Sequence, residues 1–238
     1  RYVTFDSGAD QLVVPKTSKN HIFLRDAELN TTELISVGLN GVEGNNSSEY
    51  SDVSDDGCWV VFDSDASNLV VNDTNGNKDV FLRNRCSTPK STMRISLMPD
   101  GGEIAWGGKH PDITPDGHYV VYEHGTLGVV RYDTQTGATV ALTGAQGSGS
   151  FPSISEDGSR VAFHTNVALI AEDTNNVWDV YLWDANKTSE PLTLVSSSAS
   201  GVQRDIGDES AGRVVEAAIS GDGRYVSFVT TSSNLLAG

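Results

Sequence analysis

The chain has 238 residues, of which 37% are hydrophobic, enough to build the core of one large all-β domain. Its 16 Lys and Arg residues are outnumbered by 32 Asp and Glu residues, and the resulting formal charge of −16 argues against nucleic-acid binding and favours cationic partners. No apolar stretch reaches the roughly 18 residues that a membrane-spanning helix needs, so no membrane span is expected.

One short phrase recurs five times along the chain. It consists of an aromatic or basic residue, Val, any residue and an aromatic residue. The copies are Tyr2-Val3-Thr4-Phe5, Trp59-Val60-Val61-Phe62, Tyr119-Val120-Val121-Tyr122, Arg160-Val161-Ala162-Phe163 and Tyr225-Val226-Ser227-Phe228. Because Val and the last aromatic residue are two positions apart, both face the same side of a strand. The phrase therefore predicts one buried strand in each of five repeats.

A second phrase precedes four of these five strands. It consists of a β-branched residue, Ser or Thr, any residue, and Asp-Gly, and its glycines are Gly57, Gly117, Gly158 and Gly223. Asp-Gly between two β-rich runs predicts a hairpin, because Gly adopts positive φ without steric cost. Each of these turns is therefore expected to join two antiparallel strands.

Two further strands complete the predicted repeat. The third strand is predicted at Ile22-Phe23-Leu24, Val80-Phe81-Leu82 and Val180-Tyr181-Leu182, and the fourth at Arg94-Ile95-Ser96-Leu97 and Leu192-Thr193-Leu194-Val195. The Asp-Gly glycines are 41 to 65 residues apart, so the loops vary while the strand order is kept. A four-stranded unit with variable loops is typical of a propeller blade. The alternative, an ordinary β-sandwich, does not require five copies of one phrase.

The repeat resembles a known family. Ser54-Asp55-Asp56-Gly57, followed by Trp59-Val60-Val61-Phe62, is similar to the PD40 or TolB-like (WD40-like) β-propeller repeat, whose hallmark is a Ser-Pro-Asp-Gly turn leading into a strand. Only Pro115 matches the proline of that turn. The resemblance implies an all-β propeller of four-stranded antiparallel blades. About five blades are represented here, and they are expected to belong to a five- or six-bladed ring.

The boundaries of the repeats follow the Asp-Gly turns. We divide the expected single domain, residues 1–238, into repeats of about 1–57, 58–117, 118–158 and 159–223 and a partial repeat 224–238. The sequence starts inside a predicted blade and without Met, so we expect it to be a fragment of a longer chain. An incomplete blade has unpaired strand edges, and self-association through such an edge is a further expectation.

The loop before the third strand is rich in oxygen donors in two repeats. The candidate ligands are Asp73, Asn75, Asn77 and Asp79 in the second repeat and Asp173, Asn175 and Asp179 in the fourth. Ca²⁺ takes six to eight oxygen ligands from a compact loop, so these loops predict Ca²⁺ as a cofactor. The alternative is that the Asn and Asp side chains bond to nearby backbone amides in Asx-turns.

The chain contains two cysteines, both in the second repeat. Cys58 opens the second predicted strand and Cys86 follows the third, so antiparallel pairing is compatible with a disulfide between them. Two free thiols are the alternative. A disulfide would argue for an oxidising compartment. Together with the acidic composition and the family resemblance, this favours a bacterial periplasmic or extracellular location.

No spacing in the chain is typical of a catalytic centre, since it has neither a Gly-x-Ser-x-Gly elbow nor metal-ligating His spacing. We therefore predict a non-enzymatic binding or scaffold module that engages a protein, peptide or glycan through blade-face loops, rigidified by Ca²⁺. One alternative is a polysaccharide lyase, because some lyases resemble propellers of this family; the residues concerned would be His110, His164 and Tyr122. Another is the propeller cap of a prolyl-oligopeptidase-like hydrolase.

Overall fold

The structure is a computed structural model and describes residues 1–13, 19–144, 148–205 and 215–235. Within these ranges, 17 strands form five antiparallel sheets, and a short 3-10 turn covers Leu39–Gly41. Strands that follow one another in the sequence are neighbours in each sheet. The prediction of an all-β propeller with about five blades is therefore confirmed.

The five blades have the following strands. Blade 1 contains β1 (Tyr2–Ser7), β2 (His21–Asp26) and β3 (Thr31–Leu34). Blade 2 contains β4 (Ser48–Val53), β5 (Trp59–Ser64), β6 (Asp79–Asn84) and β7 (Ser91–Arg94), and blade 3 contains β8 (Gly108–Ile113), β9 (Tyr119–His124), β10 (Gly128–Asp133) and β11 (Thr139–Ala141). Blade 4 contains β12 (Ser150–Ile154), β13 (Arg160–Thr165), β14 (Asp179–Asp184) and β15 (Leu192–Leu194), and blade 5 contains β16 (Val215–Ile219) and β17 (Val226–Val229).

The sheets group the strands differently from the repeats. The strand before each Asp-Gly turn pairs with the strand after it, as β4 does with β5, so a blade begins about ten residues before the turn glycine. Counted in this way, blades 2, 3 and 4 have four strands each, while the described residues give blade 1 three strands and blade 5 two.

The predicted fourth strand of the second repeat is wrong by three residues. It was expected at Arg94–Leu97, whereas β7 ends at Arg94. The Ile95 N–H donates to the Val80 carbonyl, and the Ser96 hydroxyl oxygen accepts the Val80 N–H. Because of these bonds, the chain turns inward next to the first residues of β6 after Arg94. The outer strand therefore stops at Arg94, and the side chain of Ile95 packs in the core.

The hydrophobic core is divided among the interfaces between blades. Between blades 2 and 3, for example, Val61, Val80, Val120 and Tyr122 are completely buried. Burial of each such side chain contributes about 1.5–3 kcal/mol to the free energy of folding. The inner strands β4, β8, β12 and β16 lie next to one another around the axis. Side chains on these strands are therefore the ones that line the centre of the propeller.

Neighbouring blades are sealed at the Asp-Gly turns. The first residue of the five-copy phrase lies against the turn glycine of the next blade, in the pairs Tyr2 and Gly57, Trp59 and Gly117, Tyr119 and Gly158, and Arg160 and Gly223. A Cβ atom on Gly117 would lie 2.5 Å from Cδ1 of Trp59, so only glycine fits there. This packing explains why a large aromatic or basic residue opens the phrase.

The propeller has two faces with different loops. The turn face carries the Asp-Gly turns and a disulfide between Cys58 and Cys86, whose Cα atoms are 5.1 Å apart. The bond lies beside the pairing of Trp59 with Asn84, where β5 begins and β6 ends. The opposite, loop face carries the segments 65–78 and 166–178, which include the candidate Ca²⁺ ligands except Asp79 and Asp179, the first residues of β6 and β14.

Candidate functional site at the propeller axis

Three successive inner strands carry the same backbone irregularity. Strands β4, β8 and β12 each contain a register shift against the next strand of their blade. Tyr50, His110 and Phe151 lie in these shifts with φ values of +44°, +50° and +47°. Residues other than Gly rarely adopt positive φ because it strains the backbone, and such strain is concentrated at functional sites. The site is therefore built at one equivalent position in three blades.

The three rings form one continuous surface, which we call the axial cluster (Tyr50, His110 and Phe151). The Tyr50 and His110 ring centroids are 4.4 Å apart, edge to face, and the His110 and Phe151 centroids are 4.0 Å apart and stacked. With Ser51, Pro111, Pro152 and Ala217, the cluster lines a cavity of about 240 Å³. Tyr50 is 50% exposed, so the surface is open to solvent at that end.

Buried acids hold the axial cluster in place. A bulge frees a backbone N–H from the strand ladder, and acids at the ends of β5 and β9 accept two of these groups. Asp63 accepts the His110 N–H at 3.0 Å, and Glu123 Oε1 accepts the Phe151 N–H at 2.9 Å and lies 2.6 Å from His110 Nδ1. Each acid therefore positions a ring on the following blade.

The pKa values of the two acids are shifted in opposite directions. Burial raises the pKa of Asp63 to about 6, although the His110 N–H and Lys78 oppose this shift. Burial acts in the same direction on Glu123, but hydrogen bonds from His110 and the Phe151 N–H outweigh it and lower its pKa. Glu123 is therefore ionised at neutral pH beside the His110 ring.

A second set of side chains links the inner strands themselves. Asp52 accepts the Ile113 N–H at 3.1 Å, and Asp112 accepts the Ile154 N–H at 2.9 Å. Burial and the neighbouring carboxyl group of Asp52 raise the pKa of Asp112 to about 8. These acids replace backbone pairing between adjacent inner strands, so their first role is structural.

The residues of the lyase alternative do not share one surface. His110 is stacked in the axial cluster, and the His164 ring lies 5.6 Å from the Phe151 ring. Tyr122, by contrast, is completely buried between blades 2 and 3, and its hydroxyl donates to the Ile95 carbonyl at 2.8 Å. A polysaccharide at the axis would not reach the Tyr122 hydroxyl.

The two acidic candidate Ca²⁺ ligands of blade 2, Asp73 and Asp79, contact a guanidinium group. Nη1 of Arg94 lies 3.0 Å from Asp73 Oδ1, 3.2 Å from Asp79 Oδ2 and 2.9 Å from Glu103 Oε1. The Arg94 side chain is 7% exposed, so the ion pairs are buried. Arg94 and Glu103 follow the loop by 15 or more residues, and for that reason loop spacing alone does not find them.

The amide side chains of both loops bond within the protein. Asn75 Oδ1 accepts the Asn77 N–H at 2.9 Å, and the Asn77 amide donates to the Ala105 carbonyl at 2.6 Å. In blade 4, Asn175 Oδ1 accepts the Val177 N–H at 3.2 Å. These are the Asx-turns of the alternative interpretation. Within the described ranges, no three or more His, Cys, Asp or Glu side chains are grouped to hold a metal ion. Ca²⁺ binding stays a prediction.

The architecture defines the chain as a β-propeller of antiparallel blades. It is similar to TolB from Acinetobacter baumannii, with 20% sequence identity and a TM-score of 0.54 over 98% of this chain and 47% of that one. It is also similar to a putative TolB from Agrobacterium tumefaciens (15% identity, TM-score 0.54, 96% of this chain and 70% of that one) and to the tricorn protease (9%, 0.55, 96% and 20%).

These similarities concern the fold. The chain spans about half the length of the Acinetobacter TolB. No protein-family model matches the sequence, and no curated protein matches it. Among the described residues, no helix is long and apolar enough to cross a membrane.

Proposed function

We propose that the chain is a non-enzymatic binding module that contacts a protein, peptide or glycan partner at the axial cluster. One observation carries this proposal. Three successive inner strands hold a ring at positive φ and stack the rings into one surface. A strained backbone conformation persists only where the surrounding structure holds it in place, and such conformations cluster at functional sites. Three strained residues at equivalent positions on one surface therefore favour a binding role.

The charges near the axial cluster favour a cationic partner. Lys78 is held by acids, with its Nζ atom 2.9 Å from Glu49 and 3.5 Å from Asp65. Both acids are about 40% exposed and belong to a chain with a formal charge of −16. Such a surface attracts basic segments by long-range electrostatics. A peptide with basic residues and a flat apolar or aromatic side chain is the partner that these features suit best.

The location and the assembly are part of the same proposal. The disulfide between Cys58 and Cys86 supports a periplasmic or extracellular location, because such bonds persist in oxidising compartments. Within the described residues, β17 is paired on one side only, and Val229 at its end is 67% exposed. Self-association by pairing of an unpaired strand edge stays a prediction.

Array binding with two tyrosine variants tests the proposed site. Labelled parent, Tyr50→Ser and Tyr225→Ser are applied to peptide and glycan arrays at low salt. Tyr225 is a matched control, since it is 63% exposed against 50% for Tyr50 but lies on blade 5 away from the axial cluster. We expect the features bound by the parent to be lost with Tyr50→Ser and kept with Tyr225→Ser. The proposal is wrong if both variants bind as the parent does, or if the parent binds nothing.

A further inference from the structure

The loops of blades 2 and 4 are equivalent in structure but differ at one outer-strand residue. Phe81 of β6 pairs with Arg94 of β7, and Tyr181 of β14 pairs with Leu194 of β15. Leu194 therefore stands where Arg94 stands in blade 2. The guanidinium group that neutralises the acids of blade 2 has no counterpart at this position in blade 4.

Two buried carboxylate oxygen atoms of blade 4 have no hydrogen-bond partner. In blade 2, Arg94 bonds to Oδ1 of Asp73 and Oδ2 of Asp79, and Asn75 also donates to Oδ2 of Asp79. In blade 4, the same two atoms of the counterparts, Oδ1 of Asp173 and Oδ2 of Asp179, are buried and accept no hydrogen bond. Asp173 is 6% exposed and Asp179 is 0% exposed. Buried carboxylate oxygens without partners are costly, so a ligand at this point would stabilise the fold.

Two further oxygen atoms of blade 4 are equivalent to atoms that contact Arg94 in blade 2. Gln203 Oε1 takes the place of Glu103 Oε1, since each accepts the N–H of the loop threonine, at 3.3 Å from Thr174 and 2.8 Å from Thr74. The Asn72 carbonyl, which accepts a bond from Arg94 in blade 2, corresponds to the Glu172 carbonyl in blade 4, which accepts a bond from the Gln203 side-chain amide. Blade 4 thus offers carboxylate, amide and carbonyl oxygens, which are the ligands of a hard cation.

One arginine does lie near this group, but it serves a different atom. Nε of Arg204 is 3.9 Å from Oδ1 of Asp179, and the Ser196 hydroxyl donates to that same oxygen at 2.5 Å. Oδ2 of Asp179 remains unpartnered. The two carboxylates and the one guanidinium sum to a formal charge of −1, so the group still favours a cation.

We propose that the blade 4 loop binds a Ca²⁺ ion from solution through Asp173, Asp179 and Gln203, while Arg94 acts as the built-in cation of blade 2. The two loops have the same acids but obtain their positive charge in different ways. The two oxygen atoms without partners, Oδ1 of Asp173 and Oδ2 of Asp179, are buried, which favours a small ion over the bulkier basic side chain of a partner.

Thermal unfolding and calorimetric titration of the full chain test this proposal. The chain is stripped with EDTA and then titrated with CaCl₂. A ligand that binds only the folded state raises Tm in a concentration-dependent way. We expect one Ca²⁺ per chain by calorimetry and a rise in Tm of several degrees at millimolar Ca²⁺. The absence of both effects at 5 mM CaCl₂ overturns the proposal and leaves a bound water as the occupant.

Three variants assign the site. Asp173→Asn should abolish Ca²⁺ binding, whereas Asp73→Asn, the equivalent change in blade 2, should leave it intact. Leu194→Arg should abolish binding in another way, by supplying the missing guanidinium, and should not lower Tm in EDTA. Ca²⁺ binding that survives both Asp173→Asn and Leu194→Arg, or that is lost equally with Asp73→Asn, contradicts the inference. Leu194→Arg keeps the test decisive if Asp173→Asn fails to fold.

Discussion

At the scale of single residues, the repeated phrases have physical causes that the structure identifies. In the turn Ser54 to Trp59, the Ser54 hydroxyl oxygen accepts the Trp59 N–H and its hydroxyl donates to Asp56. Asp56 also accepts the Cys58 N–H, and Gly57 has a φ of +71°. The Ser, Asp and Gly of the phrase therefore each satisfy one requirement of a tight turn, and only the residue between Ser and Asp is free to vary.

The glycine of this turn has a second requirement, which leads to a prediction. Gly117 has a φ of +71° and lies against the Trp59 ring of the preceding blade. We expect Gly117→Ala to lower the free energy of unfolding by at least about 2 kcal/mol. The new Cβ atom would strain the backbone at positive φ and would also collide with the Trp59 ring. Gly41→Ala is the control, since Gly41 has a φ of +74° but no neighbouring atom within 4 Å. Urea unfolding of both variants measures the difference, and equal losses would show that the Trp59 contact has no effect.

At the scale of elements, local patterns predicted the strands well and their outer edges poorly. The alternation in Trp59-Val60-Val61-Phe62 is a property of the strand itself, and β5 begins at Trp59. The outer strand β7 ends at Arg94 because its continuation turns inward to bond with Val80. That bond joins residues 15 positions apart, so no local pattern reveals it.

The buried ion pairs of Arg94 are also an element-scale feature, and their strength can be measured. We expect Arg94→Leu, which copies the residue found at position 194, to lower the free energy of unfolding in EDTA by about 3 kcal/mol, because it leaves buried carboxylates unpaired. Lys90→Met is the matched control: Lys90 is 46% exposed and pairs with Glu33 at 2.6 Å. An exposed pair contributes below about 1 kcal/mol. Similar losses in the two variants, measured by urea unfolding, would refute the structural role of Arg94.

At the scale of the whole molecule, the candidate site depends on contacts between blades. Tyr50, His110 and Phe151 lie about 40 to 60 residues apart in the sequence and meet only when three inner strands are brought to one axis. Their bulges are not visible in the hydrophobic pattern, because a bulge is defined by the register against the next strand. The fold could therefore be predicted from repeated local signals, whereas the axial cluster could not.

The meeting of the inner strands also places Asp112 and Asp63 near the axis, where their titration makes the stability of the fold depend on pH. The folded chain keeps a proton on Asp112 up to a pKa of about 8, while an unfolded Asp releases its proton near pH 4. Between these values folding takes up a proton, so the free energy of unfolding falls as the pH rises. Asp63, with a pKa of about 6, acts in the same direction up to that pH. Glu103, whose pKa is lowered to about 2 by its bonds to Thr74, has the opposite effect and only below about pH 4.5.

We therefore expect Asp112→Asn to remove much of the loss of stability between pH 5 and pH 8.5. The Asn side chain can still accept the Ile154 N–H and can donate to Asp52, so the inner strands stay linked. At pH 8.5 its Tm should exceed that of the parent by about 10 °C, with a much smaller difference at pH 5. Asp55→Asn, at an exposed turn position, corrects for the removal of one negative charge from a chain of formal charge −16. If the two variants have parallel Tm profiles, general charge repulsion rather than the buried Asp112 proton governs the pH dependence.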